Sequence, residues 1–206
     1  MLFGGHYNRT SCYSFSTSSL KWTKLSDLLS ERSYHGTAVI GNSVFLLGGF
    51  KNSTIEEYNH VTKKITHLCS MKRSLFSSAI SRNEFGLCIY KGDSLLIAVG
   101  CDDKGETTNN CFVFNTKTNA IRNIGSLNTK RRANALVNFE GKIFCIGGYN
   151  GAGYLNSIKV FDATNEKWKT TDFKLNDARS HHQAVAHKQF IYVLGGDMGG
   201  SIGYAK

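Results

Sequence analysis

The 206-residue sequence contains no proline, no cysteine pair spaced C-x-x-C and only two tryptophans. No stretch approaches 18 consecutive apolar residues, which excludes an ordinary membrane-spanning helix. The opening Met1-Leu2-Phe3-Gly4-Gly5-His6 has neither the basic start nor the apolar centre of a signal peptide, so a soluble, cytoplasmic protein is expected. Without C-x-x-C spacing, the six cysteines (Cys12, Cys69, Cys88, Cys101, Cys111 and Cys145) offer neither a zinc site nor a disulfide frame. Most fall in apolar runs, where a thiol packs as a small hydrophobe.

Charge of one sign is in excess but not concentrated. The formal net charge is +10. Basic against acidic residues run 4 to 2, 7 to 4, 7 to 4 and 7 to 5 over residues 1–50, 51–100, 101–150 and 151–206. A nucleic-acid binder gathers its cations into a stripe, and this even spread argues against one. It is better suited to acidic protein partners.

Catalytic constellations are also missing. Gly147-Gly148-Tyr149-Asn150-Gly151-Ala152-Gly153 and Gly195-Gly196-Asp197-Met198-Gly199-Gly200 look like nucleotide loops, but neither leads into the helix that phosphate cradling needs. His181 and His182 are adjacent, so on a strand they point to opposite faces and cannot share a metal. No enzyme activity, metal or cofactor is expected.

What the sequence does have is a repeat. Apolar runs end in two glycines at Gly4-Gly5, Gly48-Gly49, Gly147-Gly148 and Gly195-Gly196, and a fifth run ends at Gly100-Cys101, with Cys101 read as replacing the second glycine. First glycines at 4, 48, 100, 147 and 195 give steps of 44, 52, 47 and 48, a propeller-blade period. An aromatic, six residues and a large apolar residue recur in phase: Phe15 with Trp22, Tyr58 with Ile65, Phe114 with Ile121, Phe161 with Trp168. An arginine precedes each pair, at Arg32, Arg73, Arg131 and Arg179, sixteen residues before the first glycine in three copies and twenty-seven in the copy from Arg73.

Diglycine after an apolar strand followed by aromatic-x6-Trp resembles the kelch repeat, and the resemblance covers essentially the whole chain. It departs from the pattern at Ile65, Ile121 and the broken diglycine, and in lacking the prolines common in kelch loops. It implies an all-β, kelch-type β-propeller. About four to five blades are present, a fragment of a larger propeller, for example a six-bladed one. The expected organisation is a partial blade over 1–30, blades over 31–71, 72–129 and 130–177, and a partial blade over 178–206.

Each repeat reads as four short strands, A to D. Strand B is apolar on both faces, as a sheet stacked between two others requires. The glycines supply backbone angles closed to other residues. The aromatic and tryptophan positions are read as packing between blades. In the longer copy the eleven extra residues are placed between strands A and B, as an extended hairpin around 81–93. The repeated arginines are read chiefly as architecture tying neighbouring blades together.

Binding is the remaining function, and the resemblance implies where. Loops joining D to A and B to C share one face, which holds the partner in kelch proteins. The matching positions are His6 and Tyr7, Phe50 and Lys51, Asp102 and Asp103, Tyr149 and Asn150, Asp197 and Met198, each after a diglycine, with Tyr34, Leu75, Ala133 and His181, each two past an arginine. Lys72, Lys130 and Arg132, which do not repeat, are candidates for selecting acidic ligands. The resemblance to kelch-like adaptors implies substrate recognition for a cullin-based ubiquitin ligase, coupled through a BTB domain that this chain lacks. Actin binding as a cytoskeletal scaffold is the alternative.

Overall fold

The computed structural model describes residues 1–71, 83–102 and 104–199. Lys72, Arg73, Leu75 and Asp103 lie outside the described residues. Among those described there is no helix, and so none long and apolar enough to cross a membrane. The chain divides into two compact units, 1–83 and 84–206.

The first unit holds β1 (Leu2–Phe3), β2 (Cys12–Ser16) and β3 (Lys21–Lys24) in one antiparallel sheet. A second sheet is formed by β4 (Gly36–Ile40), β5 (Ser43–Leu47), β6 (Thr54–Asn59) and β7 (Lys64–Ser70), in sequence order. The other unit holds β8 (Gly86–Ile89), β9 (Ser94–Ala98), β10 (Cys111–Asn115) and β11 (Ile121–Ile124), then β12 (Ala135–Phe139), β13 (Lys142–Ile146), β14 (Ser157–Asp162) and β15 (Lys167–Lys174). A two-stranded sheet of β16 (Gln183–His187) and β17 (Phe190–Leu194) follows among the described residues. The three four-stranded sheets are the A-B-C-D meanders expected of kelch blades.

Burial explains why each sheet needs a neighbour. All five residues of β5 are buried, as are Leu95 to Ala98 of β9, so these strands have no solvent side. Between the two four-stranded sheets of the second unit, Leu96, Ala98, Cys111 and Val113 meet Leu136, Ile143, Cys145 and Phe161, with Trp168 packed at the edge. In the first unit Phe3, Cys12 and Leu28 meet Val44, Leu46 and Tyr58. No disulfide joins any of the six cysteines. Burial pushes the thiols of Cys88 and Cys111 up to about 12, so they pack as hydrophobes and stay protonated.

The aromatic-x6-apolar pairs have a local origin besides inter-blade packing. Phe15 faces Trp22, Tyr58 faces Ile65, Phe114 faces Ile121 and Phe161 faces Trp168 directly across the C–D hairpin of one blade. The spacing is therefore the length of a hairpin turn. Ring centroids lie 5.1 Å apart in the first pair and 5.0 Å in the last. Contacts between blades come in addition, as between Tyr90 and Phe161 at 5.8 Å.

Arg32, Arg131 and Arg179 join neighbouring blades through their backbone amides and carbonyls, while each guanidinium ties together the loops of its own blade. Arg32 is wholly buried and donates from Nη1 to the carbonyls of Gly48 (2.7 Å) and Thr54 (2.9 Å). Arg131, equally buried, donates to the carbonyls of Gly147 (2.9 Å) and Ser157 (3.4 Å). Arg179 donates to Gly195 at 2.9 Å. The constant offset of sixteen is thus the reach from the start of strand A to a carbonyl that turns inward at the end of strand B. These guanidinium groups supply donors to the Gly48, Gly147 and Gly195 carbonyls, and share the Thr54 and Ser157 carbonyls with the Gly48 and Gly147 amides.

Two expectations for the longer copy are overturned. First, β8 and β9 are joined by four residues, 90–93, whereas the connection from β7 to β8 has fifteen against eleven, ten and eight in the others. Most of the insertion therefore precedes strand A. Second, the residue lost from the glycine pair is the first, not the second. Val99 has φ of 60°, matching Gly4 (59°), Gly48 (58°), Gly147 (56°) and Gly195 (67°), while Gly100 (98°) matches Gly148 (106°) and Gly196 (95°). The Gly100 amide donates to the Arg131 carbonyl, just as Gly5 donates to Arg32 and Gly148 to Arg179. A buried valine is held in a left-handed conformation because both flanking hydrogen bonds are those of the repeat.

Candidate protein-binding face

The register shift redraws the loop positions. Counting back four residues from the start of strand A gives Arg32, Arg131 and Arg179, and from Gly86 it gives Arg82, which lies outside the described residues. Two residues past each is a left-handed position: Tyr34 (φ 55°), Glu84 (52°), Ala133 (50°) and His181 (55°). Glu84 therefore fills this slot in the longer repeat, while Leu75, the position expected there, lies outside the described residues. The signal was in the sequence, since Arg82-Asn83-Glu84-Phe85-Gly86 parallels Arg32-Ser33-Tyr34-His35-Gly36. Likewise, the residues after the glycine pair are Cys101 and Asp102 rather than Asp102 and Asp103.

In the first unit the face is aromatic. Tyr7 is 94% exposed, Tyr34 51% and Phe50 42%, an unusual display for large rings. His6 stands between two of them, with centroids 5.2 Å from Tyr7 and 6.3 Å from Tyr34. The Lys51 ammonium sits 5.4 Å from the centre of the Phe50 ring. His6, Tyr7, Arg9 and Glu31 line an open cavity of ≈ 500 Å³. Aromatic anchors beside charges are the composition of protein-contact surfaces.

In the second unit the face is charged. The Glu84 carboxylate lies 3.5 Å from Arg132 Nε and 3.8 Å from His181 Nε2. Glu84 raises His181 above its ordinary value, and His181, ahead of Arg132, holds Glu84 below the usual carboxylate range. The Arg132 guanidinium stacks over the Tyr149 ring at 5.4 Å, and Tyr149 packs edge-on against Tyr154 at 5.5 Å. Tyr154 donates its hydroxyl to Asp197 Oδ2 at 2.7 Å. Backbone bonds fix this cluster: Arg132 and Tyr149 exchange both of theirs, as do Ser180 and Asp197.

The other expected residues divide by environment. Asp102 is only 5% exposed, and its Oδ1 accepts from the amides of Lys104 and Glu106, so it builds its own loop. Asn150 Oδ1 does the same for Ala152 and Gly153. Met198 Sδ lies 3.6 Å from Arg179 Nη2. Ala133 is buried, and its amide donates to the Glu84 carbonyl. Lys130 is exposed. His182, 2% exposed, packs inward and is pushed down to about 4 by burial, which keeps it neutral.

Comparison with known proteins agrees with this architecture. The model of the KLHDC2/KLHL20/DRC7 Kelch-repeats domain matches residues 58–204, well over half of the chain. The chain belongs to the kelch-repeat family. Alpha-scruin of Limulus polyphemus is 25% identical over 217 residues, covering 95% of this chain and 23% of that protein. Kelch-like protein 36 of Mus musculus is 22% identical over 189 residues, covering 90% of this chain and 30% of that protein. Kelch repeat and BTB domain-containing protein 8 of Rattus norvegicus is 29% identical over 160 residues, covering 71% and 26%. The kelch chain therefore spans about a quarter to a third of these relatives. Its sheets are blades of a kelch-type propeller fragment, a protein-binding module of a family that generally serves interaction rather than catalysis.

Proposed function

We propose that this kelch module recognises the substrate of a cullin-based ubiquitin ligase, with Tyr7, Tyr34, Phe50, Lys51, Lys130, Arg132, Tyr149 and His181 contacting the captured protein. The observations that carry the reading are made in each unit by itself: exposed rings on loop positions of one, and in the other an arginine over a tyrosine ring with its acid and histidine, on positions that the repeat leaves free to vary. The likeness to kelch-like proteins and to a relative named for its BTB domain supports coupling to a ligase through a BTB domain outside these residues.

The test is affinity capture of the protein expressed from its own locus, so that any further encoded segments are retained. Cullin should co-purify. A second captured protein should lose its ubiquitin conjugates in a Tyr34→Ala, Phe50→Ala variant that still binds cullin. Co-sedimentation with actin filaments, with no cullin recovered, would replace this reading by the scaffold alternative.

A further inference from the structure

The Glu84–Arg132 contact is looser than two other ion pairs of the same unit and as loose as the exposed pair of Arg179 with Asp177, at 3.5 Å. Arg122 and Glu166 meet through two hydrogen bonds of 2.8 and 2.6 Å, and Lys169 meets Asp162 at 2.9 Å. Glu84 and Arg132 approach no closer than 3.5 Å, and Arg132 Nε and Glu84 Oε2 are each buried without a hydrogen-bond partner among the described residues. A charge-assisted bond closes to about 2.7–2.9 Å where geometry allows. The Glu84 backbone is fixed in a left-handed conformation, its carbonyl taken by the Ala133 amide, while the Arg132 backbone is fixed by two bonds to Tyr149, with its guanidinium carbon over the Tyr149 ring 5.4 Å from the centroid. Two opposite charges are thus fixed near each other by separate frames, and the arginine keeps capacity for a second anion.

The geometry points to Arg132 as a carboxylate-binding element of the loop face, with Glu84 as an internal anion that competes with the ligand. This rests on the binding face proposed above and names its ligand chemistry: an acidic protein segment whose carboxylate meets the Arg132 guanidinium edge-on. Tyr149 keeps the guanidinium plane oriented, and Glu84 weakens acidic ligands that cannot supply further contacts. Selectivity follows from the competition, because a carboxylate alone gains little over the one already present.

The probe is fluorescein-labelled hexaglutamate with an amidated C-terminus, titrated with the whole chain by fluorescence anisotropy at low salt. Glu84→Gln should bind about two- to fivefold tighter than the natural chain, the worth of a partly exposed ion pair. Arg132→Gln should bind about tenfold weaker, the worth of a hydrogen bond to a charged group. Lys188→Gln and Glu140→Gln make the same charge changes on exposed turns at the other end of their hairpins and should shift binding less than about twofold, the small effect of a distant screened charge. Glu84→Asp, which keeps the charge but shortens its reach, should fall between the natural chain and Glu84→Gln. Hexaserine with a free C-terminus, run in parallel, separates terminal from side-chain carboxylates. No binding of either probe, equal effects of Arg132→Gln and Lys188→Gln, or a Glu84→Gln chain no tighter than the natural one would overturn the inference. Recovery of cullin in the capture experiment is independent of all three results.

Discussion

The two buried repeat arginines differ in one neighbour, and that difference allows a transplant. Arg32 pairs with Glu56 at 2.9 Å, both side chains wholly buried. The equivalent of Glu56 beside Arg131 is Lys159, since Ile55 and Ile158 hold the same register against Leu47 and Ile146. Lys159 is 6% exposed; burial and then the Arg131 charge push its ammonium below the usual range, and Nζ donates to Thr170 Oγ1 at 2.7 Å. Lys159→Glu replaces a repulsion by the pair already present in the first unit. At an effective dielectric near 20, opposite charges about 4 Å apart attract by about 4 kcal/mol. Carboxylate desolvation offsets much of this, leaving a net gain of about 1–3 kcal/mol over Lys159→Met, which removes the repulsion without adding a pair. Urea unfolding followed by Trp168 in a Trp22→Phe background measures it. Thermal midpoints should rise by about 2–4 °C per kcal/mol. The mirror substitution Glu56→Lys should cost about 3–5 kcal/mol. Equal stability of Lys159→Glu and Lys159→Met would refute the argument that Arg131 lacks a counter-ion its fold could use.

Acid should weaken the chain through His182. Its folded pKa of about 4 lies below the ordinary 6.5, so the unfolded chain takes the proton first. Stability is full above about 6.5 and is lost as pH falls toward 4, by about 2 kcal/mol at pH 5, and His182→Gln should flatten that slope of the urea midpoint. Gly147→Ala should destabilise by about 1–3 kcal/mol more than Gly141→Ala. Both have positive φ, but an added Cβ at Gly147 meets the Arg179 carbonyl and His182 Cε1 at 2.7 Å, whereas at Gly141 it meets nothing within 4 Å. Calorimetric midpoints of the two variants check this. Lys130→Glu, on an exposed residue, should leave the thermal midpoint within about 1–2 °C of the natural chain, because surface changes of this kind are worth about 0.5 kcal/mol.

Fold class was legible because its cause is chemical identity: strands greasy on both faces, glycines where φ turns positive, and a hairpin-length aromatic spacing. What was misread depended on conformation instead. Val99 takes the first glycine's backbone angle without its residue type, so an eye searching for glycine pairs settles one position late. The same slip moved the loop residues to Asp102 and Asp103, and a separate one, placing the insertion after strand A instead of before it, hid Glu84. The role of the arginines was half legible. Their constant offset signals architecture, but only the structure shows the division of labour: the guanidinium closes within a blade, on the carbonyls of Gly48, Gly147 and Gly195, and the backbone carbonyl links to the blade before.

The same contrast separates scaffold from selectivity. One backbone position, two past each arginine site, keeps φ between 50° and 55° in four repeats while holding a tyrosine, a glutamate, an alanine and a histidine. The angle is paid for by the repeat, through backbone bonds such as Ala133 to Glu84 and His181 to Ala133. The side chain can therefore differ from repeat to repeat: Tyr34 and His181 stand at the surface, Ala133 is buried, and Glu84 reaches a neighbouring arginine. Variation at a position of fixed geometry is how one set of blades can present different chemistry to different partners without altering its core.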